Sequence, residues 1–448
     1  MTEKKYKSYT LRNYKKIKQL LALSEADFNA IQVVGNVLPF KTNNYVIEEL
    51  INWDDYKNDP IYNLTFPQKE MLKEEHYNQI EKALKDNIPD DELSRLCNNI
   101  RIELNPHPAG QKCLNVPVFD NELMQGVQHK YRETVLFFPS SGQTCHAYCT
   151  FCFRWPQFIG EKNMKFASKE SLELAKYLQE HHEVTDLLFT GGDPMTMSYK
   201  VFKKYLDPIL KVIDKTNIQT IRIGTKSLSF WPYRYTHAPD SKEMLSLFKM
   251  IVDKGINLAI MAHFSHPVEL STNAVKDAIK ALRLTGAQIR TQSPIFKHIN
   301  DDPNIWVDMW RKQVNLNCIP YYMFMARDTG AKDFFELPIY KAHDIFREAY
   351  SQVSGICRTV RGPSMSCTPG KVMVSGIAEI NGEKVFALRF IQGRNPDWVA
   401  MPFFAKYDEE ASWMSDLKPA FSDKFFFEDE MEKIYNQKYN DCEDNKFE

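Results

Sequence analysis

Between residues 133 and 352 the chain repeats one alternation six times: a short apolar run, then an amphipathic stretch of helical period. The runs cover 133–138, 184–190, 219–225, 256–264, 287–292 and 318–326; the helical stretches lie near 169–181, 198–214, 241–253, 272–284, 303–314 and 338–352. Strands separated by single helices pair in parallel, because a parallel partner is reached only by a long crossover, and that crossover is right-handed. The alternation therefore predicts an α/β fold around a parallel sheet. It does not choose between an open sheet and a curved barrel, but in both the chemistry belongs at the carboxyl ends of the strands.

Three of those ends carry motifs. Cys145-His-Ala-Tyr-Cys149-Thr-Phe-Cys152-Phe-Arg154 follows the first run, Gly191-Gly192-Asp193 the second, and Lys226 the third. Three thiolates in one loop of eight residues can converge on a metal, and soft sulfur ligands select zinc, copper(I) or iron–sulfur centres. Three ligands are one short of a closed zinc site. The remaining cysteines, Cys97, Cys113, Cys318, Cys357, Cys367 and Cys442, form no second pair of suitable spacing, and His146 is the one local candidate for a fourth ligand. Three readings follow: a one-histidine zinc site, three unrelated core thiols, or a 4Fe-4S cluster with one iron left open.

The flanking regions read differently. Residues 13–23, 24–32, 43–51, 66–84 and 90–100 have helical spacing and are separated by Pro60, Pro67 and Pro89. They predict an N-terminal helical domain over 1–110 with no catalytic signal. Pro106, Pro108, Gly110 and Pro117 mark 105–120 as a linker. The segment of alternating strands and helices then takes 111–378. A C-terminal extension over 379–448 contains a strand-like run at 384–391 and a mixed segment at 423–439, to which no chemistry is assigned.

Composition excludes several classes. A formal charge of −1 gives no sign of nucleic acid or a membrane surface. The first twenty residues hold seven Lys or Arg against one Glu but lack the apolar core of a signal peptide, and 256–264 is too short to span a bilayer. Nine cysteines, an odd number with three clustered, point to a reducing compartment, and the chain reads as cytoplasmic.

With these motifs in view, the chain is similar to the lysine 2,3-aminomutase family of radical S-adenosylmethionine (SAM) enzymes. Cys152-Phe-Arg154 resembles that family's ligand-x-Arg, Thr190-Gly-Gly-Asp-Pro194 its S/T-G-G-D-P, and Arg222-Ile-Gly-Thr225 with Pro232 and Arg234 its R-I-G-T segment. Ala262-His-Phe-Ser-His-Pro267, Gln292-Ser293 and Pro320-Tyr-Tyr322 continue the likeness in order, over roughly residues 35 to 375. The resemblance implies a partial (β/α)6 barrel, a 4Fe-4S cluster on Cys145, Cys149 and Cys152, SAM, pyridoxal 5′-phosphate (PLP), a reducing electron donor and a free amino acid as substrate. It leaves room for a homo-oligomer. The implied activity is an isomerase moving an α-amino group to the β-carbon.

The resemblance also carries residues. Gly191, Gly192 and Asp193 correspond to cofactor-facing positions, where glycines let backbone carbonyls approach a ligand. His263 and Gln292 resemble further cofactor-facing polar positions. Lys371, after Pro369-Gly370, stands where the family presents its PLP lysine. Lys130 and Tyr131, with Arg132 in place of an arginine that has become Thr134, resemble the phosphate-binding segment. Arg154 corresponds to the residue that forks onto the substrate carboxylate. Two aspartates of lysine-specific members are replaced by Arg327 and Ser364, and the family's C-terminal zinc cysteines are missing. Arg327 suits an acidic, glutamate-like substrate, as in glutamate 2,3-aminomutases. A one-residue slip would set Asp328 there and restore lysine binding. Arg327 paired with Asp328 or Asp333 outside the pocket is the plainer alternative, and a PLP-independent radical SAM enzyme is the rival function.

Overall fold

The computed structural model describes residues 4–105, 114–159 and 166–443. Part of the expected linker (Pro106, Pro108, Gly110), together with Cys113, lies outside the described residues.

The N-terminal part contains a short antiparallel pair, β1 (Ser8–Thr10) and β2 (Lys41–Asn43), and the helices α1 (Glu25–Val37), α2 (Pro60–Thr65), α3 (Glu74–Lys85) and α4 (Asp90–Glu103). Ser24 starts α1 by accepting a hydrogen bond from the Asp27 N–H at 3.1 Å, and Asp59 starts α2 by accepting from the Tyr62 N–H at 2.7 Å with Pro60 in the first turn. Three expectations need correction here. Residues 13–23 form two short 3-10 turns, because Ile17 is extended between them and neither turn has a side-chain cap. The stretch 43–51 holds a π-type turn over Val46–Leu50 in place of a regular helix. The helix expected over 66–84 starts only at Glu74, after the extended residues Phe66, Gln68 and Leu72.

A two-residue hairpin, β3 (Val118–Phe119) and β4 (Glu122–Leu123), leads to β5 (Val127–Tyr131) and β6 (Thr134–Phe137). The parallel block continues through β7 (Asp186–Phe189), β8 (Thr220–Thr225), β9 (Asn257–His263), β10 (Gln288–Ile295) and β11 (Ile319–Met325). Crossovers are made by α5 (Leu172–Glu180), α6 (Tyr199–Val212), α7 (Ser227–Phe230) with α8 (Ser241–Asp253), α9 (Asn273–Arg283) and α10 (Pro303–Asn315). The six expected strands are β6 to β11, and they lie within a longer sheet whose end strands are β5 and β15. A further parallel strand, β12 (Arg361–Ser366), follows α11 (Lys332–Phe335) and α12 (Ile339–Ser351). The sheet then turns antiparallel through β13 (Gly370–Ile380), β14 (Glu383–Gly393) and β15 (Pro402–Lys406), so residue 379 lies within a strand. Helix α13 (Glu428–Glu443) occupies the segment read as mixed. Among the described residues one sheet runs from β5 to β15 in chain order.

The two faces of the parallel block differ in chemistry. Phe137 and Phe189 meet Tyr205 and Phe202 of α6, and Ile223 lies in register beside Phe189, so this face packs under helices. Burying each such side chain contributes about 1.5–3 kcal/mol. The alternate residues Asp186 and Arg222 lie on the inner face. Arg222 spans both oxygens of Asp186, with Nε to Oδ1 at 2.7 Å. No helix among the described residues is long and apolar enough to cross a membrane.

Candidate active site

The cysteine loop leaves β6 through Pro139 and is held by the N-terminal elements on one side. Tyr6 donates from its hydroxyl to the His146 carbonyl at 2.7 Å, and the buried Asn43 amide donates to the same carbonyl at 3.1 Å and to that of Phe230 at 2.9 Å. The Tyr148 N–H donates to the Lys41 carbonyl at 2.7 Å, the Thr150 N–H to that of Leu64 at 3.0 Å, and the Thr150 hydroxyl to that of Asn63 at 2.8 Å. Lys41 Nζ donates to Thr144 Oγ1 at 3.1 Å. On the other side the Gly191-Gly192 turn presses on the loop. A Cβ on Gly192 would lie 2.5 Å from the Thr144 nitrogen, and one on Gly191, at φ +134°, 2.2 Å from Gln143 Nε2. Both glycines are thus required by the chain's own packing.

The three thiols are half-buried and near enough to act on one another. Burial raises all three above the ordinary thiol range, Cys152 to about 11, where the Arg154 N–H and guanidinium offset part of the effect. Their sulfurs do not all lie within 4.8 Å of one another. The His146 ring packs edge-on against Tyr6 at 5.6 Å, its Nδ1 is buried without a hydrogen-bond partner among the described residues, and burial lowers its pKa to about 3.

Asp193 turns out to be a junction. Its carboxylate accepts from Thr225 Oγ1 at 2.7 and 2.9 Å, from the Met195 N–H at 2.9 Å and from the Lys226 N–H at 3.0 Å, while its own N–H donates to the Thr144 carbonyl at 2.7 Å. Lys226 pairs with the fully buried Glu269 at 2.6 Å, and its charge reaches Cys149. Glu269 also accepts from Ser229, from the Ser265 N–H and from the His266 N–H at 2.8 Å; the sequence reading missed this anchor. His263 and Gln292 are partners in register, with Nε2 to Nε2 at 2.6 Å. Burial, reinforced by Lys226, lowers the His263 pKa to about 3 and keeps the ring neutral.

Lys371 stands on β13, between Ser366 and Gln392 in register. Its Nζ donates to Gln392 Oε1 at 3.1 Å and lies 4.2 Å from the centroid of Tyr322. Burial lowers its pKa far below the ordinary lysine value, and the cations Arg222, Arg361 and Lys130 lower it further, with Asp186 partly offsetting them. Lys130 reaches the Cys367 carbonyl and is itself brought down to about 7, by burial and then by Arg394 and Arg327. Tyr131 shares this neighbourhood, its hydroxyl raised chiefly by burial. Arg132 does not: its side chain is mostly exposed and lies 3.9 Å from Glu133 at the turn between β5 and β6. The cations beside Lys371 and Lys130 that the sequence reading missed are Arg222, Arg361 and Arg394. An amine of lowered basicity with arginines beside it is a fit for a nucleophile facing an anionic ligand.

Arg154 lies 4.4 Å over Phe138 and 5.2 Å from the centroid of Phe153; Arg327 lies 5.4 Å from the same ring and 5.5 Å from Trp413 of the C-terminal segment. Burial lowers Arg154 to about 10, with Arg327 adding to the shift and Cys152 opposing it. Arg327 is lowered by burial and supported by Asp328, whose Oδ1 is 3.8 Å from a buried Nε that makes no hydrogen bond among the described residues. Ser364 is fully buried and donates to the Met323 carbonyl at 3.3 Å.

The C-x3-C-x2-C loop stands at the carboxyl end of the first parallel strand, the place where the resemblance to radical SAM enzymes puts it. No family model matches the chain. A protein of Aquifex aeolicus (strain VF5), provisionally named L-lysine 2,3-aminomutase, is 28% identical over 409 residues, covering 90% of this chain and 95% of that protein. The L-lysine 2,3-aminomutase of Clostridium subterminale is 24% identical over 60% of this chain and 61% of its own. The glutamate 2,3-aminomutase of Clostridioides difficile (strain 630) is 26% identical over 47% of each. The match thus spans about half to three-fifths of these last two. The chain is thus similar to proteins named as lysine and glutamate 2,3-aminomutases, in the first case over nearly its whole length.

Proposed function

We propose that this chain is a PLP-dependent radical SAM 2,3-aminomutase acting on a free acidic amino acid such as glutamate. The observation that carries the reading is the joint presence of the three-thiol loop and of Lys371, a buried amine ringed by Arg222, Arg361 and Lys130. When bound, the cluster with SAM supplies a hydrogen-abstracting radical and PLP an electron sink for the migrating amino group.

The chain's own residues have distinct tasks in this reading. Cys145, Cys149 and Cys152 hold the 4Fe-4S cluster, three soft thiolates in one loop being the ligand type such a centre takes. Gln143 Oε1, buried without a hydrogen-bond partner among the described residues beside Gly191, is an acceptor suited to the SAM ammonium. His263 and Gln292 face the cofactor as a neutral hydrogen-bonded pair. Lys371 holds PLP covalently, and its depressed basicity leaves the amine ready to react. Lys130, Arg361 and Arg222 neutralise the phosphate, with Tyr131 beside them. Arg154 binds the α-carboxylate and Arg327 the side-chain carboxylate, with Asp328 Oδ1 3.8 Å from the Arg327 Nε.

The reading is tested by SAM consumption in the reduced, reconstituted protein. Cleavage to 5′-deoxyadenosine that depends on both PLP and a free amino acid supports it. Cleavage indifferent to PLP would favour the PLP-independent alternative.

A further inference from the structure

On β5, Lys130 reaches inward to Cys367, while its neighbour His129 reaches Tyr177 of α5. His129 Nδ1 lies 2.6 Å from the Tyr177 hydroxyl and its Nε2 3.0 Å from the Arg132 carbonyl. The His181 ring, just after α5, stacks on Tyr177 at 3.8 Å, with Nδ1 2.7 Å from Glu183 Oε1. The two imidazoles meet edge to face at 5.9 Å. One ligand atom each from His129, His181 and Glu183 lies within 4.8 Å of the other two, and among the described residues no other trio of His, Cys, Asp or Glu comes so close.

We propose that His129, His181 and Glu183 bind a divalent transition ion of the zinc class, apart from the cysteine loop. Two imidazoles and one carboxylate are the donor set of zinc and related borderline ions, with a further position open to water. Zinc bonds of about 2.0–2.2 Å require ligand atoms roughly 3.4 Å apart, so closing the trio asks for side-chain shifts of about 1 Å. The outer contacts for such a ligand are present. With Nε2–H donating to the Arg132 carbonyl, an outer contact of the kind that fixes ligating histidines, Nδ1 is the lone-pair atom of His129; it accepts from the Tyr177 hydroxyl at 2.6 Å, a hydrogen bond the ion would replace. Half-burial of all three groups leaves a path from solvent. The bound ion would link edge strand β5 to α5, on the outer side of the strand that carries Lys130.

The test uses the full-length chain, anaerobically, with Co2+ as a spectroscopic probe and Zn2+ as the ligand. One equivalent of Co2+ should give weak visible bands without thiolate charge transfer, and the signal should survive replacement of Cys145, Cys149 and Cys152 by Ser. Glu183→Gln and His181→Ala should each weaken binding at least about tenfold. In a second measurement on proteins that keep their cysteines, Zn2+ should raise the melting temperature of the wild type and of the control His182→Ala, but not of Glu183→Gln. A Co2+ signal that disappears with the cysteines, or Zn2+ stabilisation of Glu183→Gln equal to wild type, would overturn the proposal.

Discussion

Arg154 and Arg327 lie over one aromatic ring, their guanidinium carbons 5.2 and 5.4 Å from the centroid of Phe153. They come from opposite ends of the parallel block, one just past the cysteine loop after β6 and the other after β11. Two cations that burial makes costly, gathered over one exposed ring, call for an anion with two charged ends. Arg327→Asp should therefore lower turnover of glutamate by about 100-fold and bring lysine turnover up from background. Steady-state rates on the two amino acids check this. Better use of lysine than glutamate by the wild type would show that Asp328 is the residue that faces the substrate.

Lys371 is expected to be the residue trapped when the PLP-loaded protein is treated with borohydride and its peptides are mapped. Trapping at Lys226 or Lys297 would move the site elsewhere. The same lysine carries a stability prediction. Its folded pKa lies below the unfolded value, so the unfolded chain binds the extra proton, and the folded state loses ground as pH falls from the ordinary lysine value toward the depressed one. Lys371→Met should accordingly raise stability at neutral pH, without PLP, by about 1–2 kcal/mol. Denaturant titration reads it, and a destabilised variant would contradict the account.

Cys149→Ala should abolish the visible absorbance of the reconstituted cluster and all SAM cleavage, because two thiolates in the loop do not retain the centre. An unchanged spectrum would sink the assignment of that thiol.

The N-terminal cradle makes a separate prediction. Asn43→Ala leaves the buried Phe230 carbonyl and the Val46 N–H without the partner Asn43 supplies, and removes one donor from the His146 carbonyl. About 1–3 kcal/mol of stability should be lost, with iron content per chain falling in parallel. Loss of stability with full iron loading would mean that the cradle does not position the loop.

What could be read from the sequence depended on where the signal lay. The strands β6 to β11 were legible because each is a compact apolar run, and the cysteine triad because its members share one loop. Arg222 and Arg361 were not, since their importance comes from the inner face they share across five strands, which no local pattern records. The seventh parallel strand, β12, is hidden by Gly362, Pro363 and two serines. The cradle was invisible for another reason: Lys41, Asn63 and Leu64 act through backbone carbonyls, which carry no residue signature. Arg132 failed as a substitute cation because the chain turns between β5 and β6, ending the alternation that would have carried it inward.

The central claim is tested most directly by product. Reduced, cluster-loaded protein with SAM and PLP is offered a panel of free amino acids, and β-amino isomers are resolved by chromatography and mass. The account predicts β-glutamate, formed faster than any other β-amino acid. A panel that yields only β-lysine would contradict the acidic substrate, and one that yields no β-amino acid at all would contradict the aminomutase assignment.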